Sequence, residues 1–204
     1  MPKVKQPEKE YADYVEHPRF GRTPHVTGLN PESDLLTGKV YVHWHSPPEC
    51  RIPNTAIAAD VSRQAPATLP VTHYYDARRE CRDCGRRFIF SAREQKYWYE
   101  DLGFPLEADC VRCIICRRKQ QGLAGKRERY EELFHLAART PAQSLEMAEC
   151  CLSLMEEGIF HRRQTQHVRK LLKEAAVAGD KDSQALQDAL RERLNLLERD
   201  TKDG

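Results

Sequence analysis

Two stretches of the chain carry residues that could do chemistry. "CRDCG" holds Cys81 and Cys84, and "ADCVRCIICRR" holds Cys110, Cys113 and Cys116 in steps of three. A Cys-x2-Cys pair sets two thiolates on one tight turn, and two such pairs make the tetrahedral four-sulfur site that zinc prefers. Gly85 directly follows Cys84, where a metal knuckle needs a residue with positive φ. Spacing alone leaves two closures open, because Cys110/Cys113 and Cys113/Cys116 both fit. In either case one structural Zn2+ per chain is expected. A site filled by four protein thiolates keeps no position for water or substrate, so zinc catalysis is not expected.

The other reactive residues form no comparable set. "HWHSPPEC" offers His43, His45 and Cys50 as a conceivable second metal site, with both imidazoles on one face of a strand but no fourth ligand. His161 and His167 flank "RRQTQ" and read as surface residues. Cys150 and Cys151 are adjacent on a helix, so one is expected in a core and the other near its edge. No phosphate-cradling glycine loop, no nucleophile with a partnered base and no evident small-molecule site can be picked out. The chain is therefore read as no enzyme.

The positive charge is local. Lys and Arg total 33 against 31 Asp and Glu, a net charge of +2, so nucleic-acid binding would have to rest on clusters. Arg112, Arg117, Arg118 and Lys119 surround the second cysteine group; Arg86 and Arg87 follow the first. On one face they could meet phosphates, with Tyr97, Trp98 and Tyr99 as a stacking surface. Arginines beside zinc knuckles also offset the 2− charge of zinc bound to four thiolates. Three adjacent helical aromatics cannot all point one way, so at least one belongs to a core.

These residues need elements to hold them. The 204 residues suit one or two small domains, and hydrophobic residues make up 40% of them. Mean hydropathy is −0.74. No window approaches the roughly 18 apolar residues of a membrane span, and the start lacks an apolar leader core. The chain reads as cytoplasmic, where thiols stay reduced and cysteines serve metals rather than disulfides.

Residues 1–38 are charged and proline-punctuated, and are expected to be extended or poorly ordered. Residues 39–72 open on "KVYVHW", a short alternating strand, and continue as a proline-rich extended wrap. In 73–119, "RRFIF" reads as a strand. "SAREQKYWYEDLG" reads as a helix with Ser91 and Glu94 as a capping box and Gly103 as its stop. Residues 120–204 read as a helical domain. Tyr130, Leu133, Phe134 and Ala137 share one face. Thr140 and Pro141 open a stripe of Leu145, Ala148, Leu152, Met155 and Ile159, stopped by Gly158. Val168, Leu171, Leu172, Ala175 and Ala176 follow, stopped by Gly179, and then Leu186, Leu190, Leu194 and Leu197.

"CRDCGRRFIFSAREQKYWYEDLGF…RCIICRR" resembles the probable zinc-ribbon domain of bacterial proteins, through a Cys-x-x-Cys-Gly knuckle, an aromatic strand, and Ala92, Gln95, Tyr97, Trp98, Tyr99, Gly103 and Phe104. "RIPNTAIAADVSRQAP" is similar to a leader found before it. The resemblance covers about 45 residues and implies Cys81, Cys84, Cys113 and Cys116 as ligands, with Cys110 an extra. It brings no activity. The fold expected is α+β, mostly α: a small four-cysteine zinc ribbon with an extended N-terminal segment and a C-terminal helical bundle. The function expected is interaction with a protein partner, with nucleic acid as the alternative.

Overall fold

The structure is a computed structural model, and it describes residues 7–32, 39–175 and 181–199. It is mostly helical with small antiparallel sheets, and it divides into two compact units, Met1–Arg118 and Lys119–Gly204.

The first unit is built round a hairpin. After a single turn, α1 (Pro7–Glu10), come β1 (Ile57–Ala58) and β2 (His73–Tyr74), which pair antiparallel. Then β3 (Ala77–Glu80) pairs antiparallel with β4 (Arg87–Phe90), setting Ala77 opposite Phe90 and Glu80 opposite Arg87. The run Phe88-Ile89-Phe90 suits a strand buried on both faces. Phe88 and Phe90 turn to the cysteine cluster with Val15, while Ile89 turns the other way to Tyr11, Tyr14 and Ile52. Single bridges extend this sheet on both sides: Val15 to Phe88, and Arg51 to Ala77.

Two sequence expectations are corrected here. Within the segment expected to be poorly ordered, Tyr11, Tyr14 and Val15 are buried, and the Val15 N–H donates to Arg87 O at 2.8 Å. Three apolar side chains spaced to reach both faces of the hairpin outweigh the charged composition; residues 1–6 and 33–38 lie outside the described residues. "KVYVHW" forms no regular strand: Val42 makes one parallel bridge to His73. The Tyr41 N–H is taken by the Thr72 hydroxyl at 2.8 Å, so a side chain stands where a ladder carbonyl would. The proline-rich stretch follows the surface of the unit and buries Ile52, Ala56 and Val71.

Next, α2 (Ala92–Lys96) passes into a π-helical turn over Tyr97–Asp101. Its aromatics diverge as helical geometry requires. Tyr99 is buried with Val71, Tyr74, Ala92 and Leu106, while Trp98 packs on Phe90 with ring centres 5.0 Å apart. Gly103 ends the turn with φ of 66°. The long α3 (Ile114–Phe134) starts at the second cysteine pair.

The second unit has one core. Tyr130 and Leu133 of α3 meet α4 (Pro141–Glu156), α5 (Thr165–Ala175) and α6 (Lys181–Arg199). The core side chains of α4 include Leu145, Ala148, Leu152 and Met155. Met147 and Leu154 are also fully buried, so α4 is central and apolar on most sides. Both Cys150 and Cys151 are therefore buried, where one was expected at an edge. Four residues of the expected stripes lie outside the core. Phe134 and Ala137 sit at and beyond the end of α3, Ile159 follows Gly158 (φ 70°), and Leu186 lies near the exposed start of α6. Ala176 and Gly179 lie outside the described residues.

Thr140 closes a complete capping box on α4. Its hydroxyl accepts from the Gln143 N–H, and the Gln143 side chain accepts from the Thr140 N–H. Thr140→Ala removes one arm and is expected to lower the free energy of unfolding by about 1 kcal/mol, read by urea denaturation monitored at 222 nm.

Candidate metal centre

The β3–β4 hairpin and the start of α3 each bring two thiols. The turn from Cys81 to Arg86 is closed by two backbone bonds: Cys81 N–H to Arg86 O at 3.0 Å, and Gly85 N–H to Cys81 O at 2.8 Å. Gly85 adopts φ of 67°, the left-handed conformation that its place after the second thiol demands. Cys113 and Cys116 sit at the first turn of α3, where the Arg117 N–H donates to Cys113 O at 3.0 Å. One bond ties the two segments directly, from Arg82 N–H to Val111 O at 2.9 Å.

The four sulfurs Cys81, Cys84, Cys113 and Cys116 lie within 4.8 Å of one another, with Cys84 and Cys113 Sγ 3.9 Å apart. A zinc tetrahedron with bonds of about 2.3 Å has edges of about 3.8 Å, which is the scale of this cluster. Desolvation opposes ionisation of Cys81, but the N–H groups of Cys113, Cys84 and Asp83 aim at its sulfur and hold its pKa down, at about 6. The four cysteines are placed to hold one structural Zn2+.

Cys110 is packed in the adjoining core with Val15, Phe88 and Phe90. Its thiol donates to Arg112 O at 3.5 Å, and burial pushes its pKa up to about 12. Its sulfur lies outside the four-sulfur group, which separates Cys110 from its neighbours at the same spacing. The second pair belongs to a helix rather than to a second hairpin knuckle. Hairpin plus helix start is a treble-clef arrangement, more specific than the ribbon expected from spacing.

Charged side chains brace the cluster. Arg112 grips both carboxylate oxygens of Asp83, at 2.9 and 2.8 Å, and so clamps the two cysteine segments together. Arg117 donates to Glu94 at 2.7 Å and lies over the Trp98 ring, 4.9 Å from its centre. Glu94 also faces His17 Nε2 at 3.4 Å. The His17 Nδ1 accepts two backbone N–H bonds, from Arg19 and Phe20, so its proton sits on Nε2, toward the carboxylate. Sequence reading assigned Glu94 to a capping box. The structure forms only half of that box: the Ser91 hydroxyl accepts from the Glu94 N–H at 3.1 Å, while the carboxylate turns to Arg117. No local pattern marks this network, because its members come from three distant segments.

The tentative phosphate-binding residues are divided. Arg112 and Arg117 are engaged as above, and Lys119 pairs with Glu157 at 2.5 Å. Arg86, Arg87 and Arg118 are exposed. The stacking surface is not available either: Arg19 covers Tyr97 at 4.6 Å, Arg117 covers Trp98, and Tyr99 is buried.

His43, His45 and Cys50 are not brought together as ligands; among the described residues only the four cysteines above group in that way. His43 is buried between the rings of Trp44 and Tyr99. Its Nδ1 accepts the His45 N–H at 3.2 Å, leaving Nε2 to donate to Leu106 O at 2.7 Å. Burial pulls its pKa down to about 4. His45 bonds to Glu107 O at 3.1 Å. Both histidines pin the loop ahead of Cys110.

Residues 75–123 match a family model described as a probable treble clef domain. No curated protein and no solved structure matches the chain.

Two outcomes follow. Metal analysis of the purified chain is expected to give one zinc per molecule. Cys81→Ser and Cys116→Ser lose it, whereas Cys110→Ser and the pair His45→Ala with Cys50→Ser keep it. Retention in Cys116→Ser with loss in Cys110→Ser would reverse the ligand assignment. Separately, Arg117→Met leaves the Glu94 carboxylate, 2% exposed, without its strongest partner. It is expected to lower stability by about 3 kcal/mol, and adding Glu94→Gln should restore part of that loss in denaturant titrations.

Proposed function

We propose that the chain is a non-enzymatic, cytoplasmic protein-interaction adaptor whose zinc site serves as scaffold. Four thiolates complete the coordination of the ion, which supports a folding role over a Lewis-acid one. A thiolate site of this kind needs reduced cysteines, and no described helix is long and apolar enough to cross a membrane.

The observation that carries the choice of partner is the pairing of the basic residues. Nucleic-acid affinity grows with the number of cations left to displace counterions. In the first unit Arg112 and Arg117 are matched to Asp83 and Glu94. In the second, Lys119, Lys126, Arg129 and Arg193 face Glu157, Glu149, Glu146 and Glu156. Surface pairs of this sort contribute little stability each. Their effect is to leave mixed, near-neutral surface around these pairs, with Tyr97 and Trp98 already under arginines. Such a surface suits selective contact with another protein better than a phosphate backbone.

The test is binding of the zinc-loaded chain to generic single- and double-stranded DNA and RNA over 20–300 mM salt, by fluorescence anisotropy. The expected result is no saturable binding at the lowest salt. Binding whose log affinity falls with log salt at a slope of several units would replace the adaptor with a nucleic-acid-binding protein.

A further inference from the structure

The four cysteines placed to hold the ion are unequally sheltered. Cys81 and Cys113 are buried and Cys116 is partly covered, whereas Cys84 is exposed. It stands in the run 82–87, every residue of which is exposed. A site of four thiolates keeps its sulfurs ionised, and the thiolate is the form that reacts with peroxides. Cys84 is therefore the ligand that a small oxidant in solution meets first.

A second sulfur stands behind it. Cys113 Sγ lies 3.9 Å from Cys84 Sγ. A disulfide needs about 2.05 Å, so the two bond only by giving up the ion. Cys81 is placed differently, because the N–H groups of Cys113, Cys84 and Asp83 hold its sulfur. Cys110 is outside the four-sulfur group, with its thiol turned to Arg112 O and its side chain among Val15, Phe88 and Phe90. Cys84 belongs to the hairpin turn and Cys113 to the start of α3. A bond between them would join the same two segments that the ion joins.

We propose that the zinc site is a peroxide-responsive thiol switch, in which Cys84 is the sulfur oxidised first and Cys113 the one that resolves it. The Cys84 thiolate attacks one oxygen of hydrogen peroxide. An S–O bond forms, the O–O bond breaks and hydroxide leaves, giving the sulfenic acid. The Cys113 thiolate then attacks the Cys84 sulfur; the S–S bond forms, the S–O bond breaks and a second hydroxide leaves. The two sulfurs give up two electrons to the peroxide, and the two hydroxides take up two protons from the solvent to become water. Loss of two of four thiolates releases the ion. A dithiol reductant restores both thiolates, and zinc rebinds. The proposal rests on the zinc site as scaffold and is independent of which partner the protein takes.

The test treats the zinc-loaded full chain with about tenfold excess hydrogen peroxide. Released zinc is read by the absorbance of its pyridylazoresorcinol complex. Disulfides are mapped by mass spectrometry of non-reduced peptides after iodoacetamide blocks free thiols. About one zinc per chain is expected to leave, together with one Cys84–Cys113 link, and zinc is expected to return after dithiothreitol and added Zn2+. Brief peroxide treatment with dimedone, which traps sulfenic acids, is expected to label Cys84. Cys110→Ser and Cys50→Ser are expected to release zinc within twofold of the unaltered rate. Zinc retained under peroxide overturns the switch and leaves the scaffold standing. A dimedone label on another cysteine, a Cys81–Cys84 or Cys113–Cys116 link, or release slowed at least tenfold in either variant also overturns it. A chain purified without zinc removes the scaffold and the switch together.

Discussion

Four sulfurs meeting at one point are the constraint on which the first unit depends. The hairpin has four residues in each strand, and the helix that completes the site begins some 25 residues further along the chain. A four-residue hairpin is marginal alone, and closing so long a loop opposes folding. The direct backbone tie between the two segments is the single bond from Arg82 to Val111. Zinc held by four thiolates contributes folding free energy on the order of 10 kcal/mol, far above any one contact here. The ion therefore decides whether hairpin and helix start share one structure, and the packing of Phe88, Phe90, Cys110 and Trp98 refines what it has joined.

Gathering thiolates concentrates negative charge, and the neighbouring side chains answer it locally. Arg112 spans from one cysteine segment to the other through Asp83. Arg117, next to Cys116, is held by Glu94 from below and Trp98 from the side. Glu94 is nearly inaccessible and would destabilise the fold if left single. His17 and Arg117 approach it from opposite ends of the unit's sequence, so one buried carboxylate connects the N-terminal segment, α2 and the first turn of α3. The N-terminal stretch is ordered for this reason as well as for its tyrosines. It completes the setting of the metal ligands without touching the ion.

What was legible in the sequence was whatever depends on short spacing. The cysteine pairs, Gly85, the strand Arg87–Phe90, the Ser91 cap and the α4 stripe are set within a few residues, where period and cap chemistry speak directly. Three things were not legible. The choice between Cys110 and Cys116 turns on which sulfur reaches the other three, a matter of packing that spacing cannot carry. The order of residues 7–32 arises from contacts with distant partners, from Asn54, Ala56 and Asp76 to Phe88 and Ile89, which their charged composition conceals. The failure of "KVYVHW" to form a strand comes from one threonine side chain replacing a ladder carbonyl. Each is long-range or side-chain-specific, and propensity describes neither.

The same limit explains why the basic clusters mislead. Along the chain, arginines near Cys81 and after Cys116 read as one positive field. In space their fates separate by geometry. Arg112 and Arg117 lie beside acids from the first knuckle and from α2, and are neutralised. Those on the exposed hairpin turn project where no element carries an acid to meet them, apart from Glu80 beside them. On a turn set by its metal ligands, packing supplies these arginines no counter-ion among the described residues. Its cations stay exposed. The zinc site thus shapes the charge of this surface indirectly, by fixing the tight turn that carries these arginines.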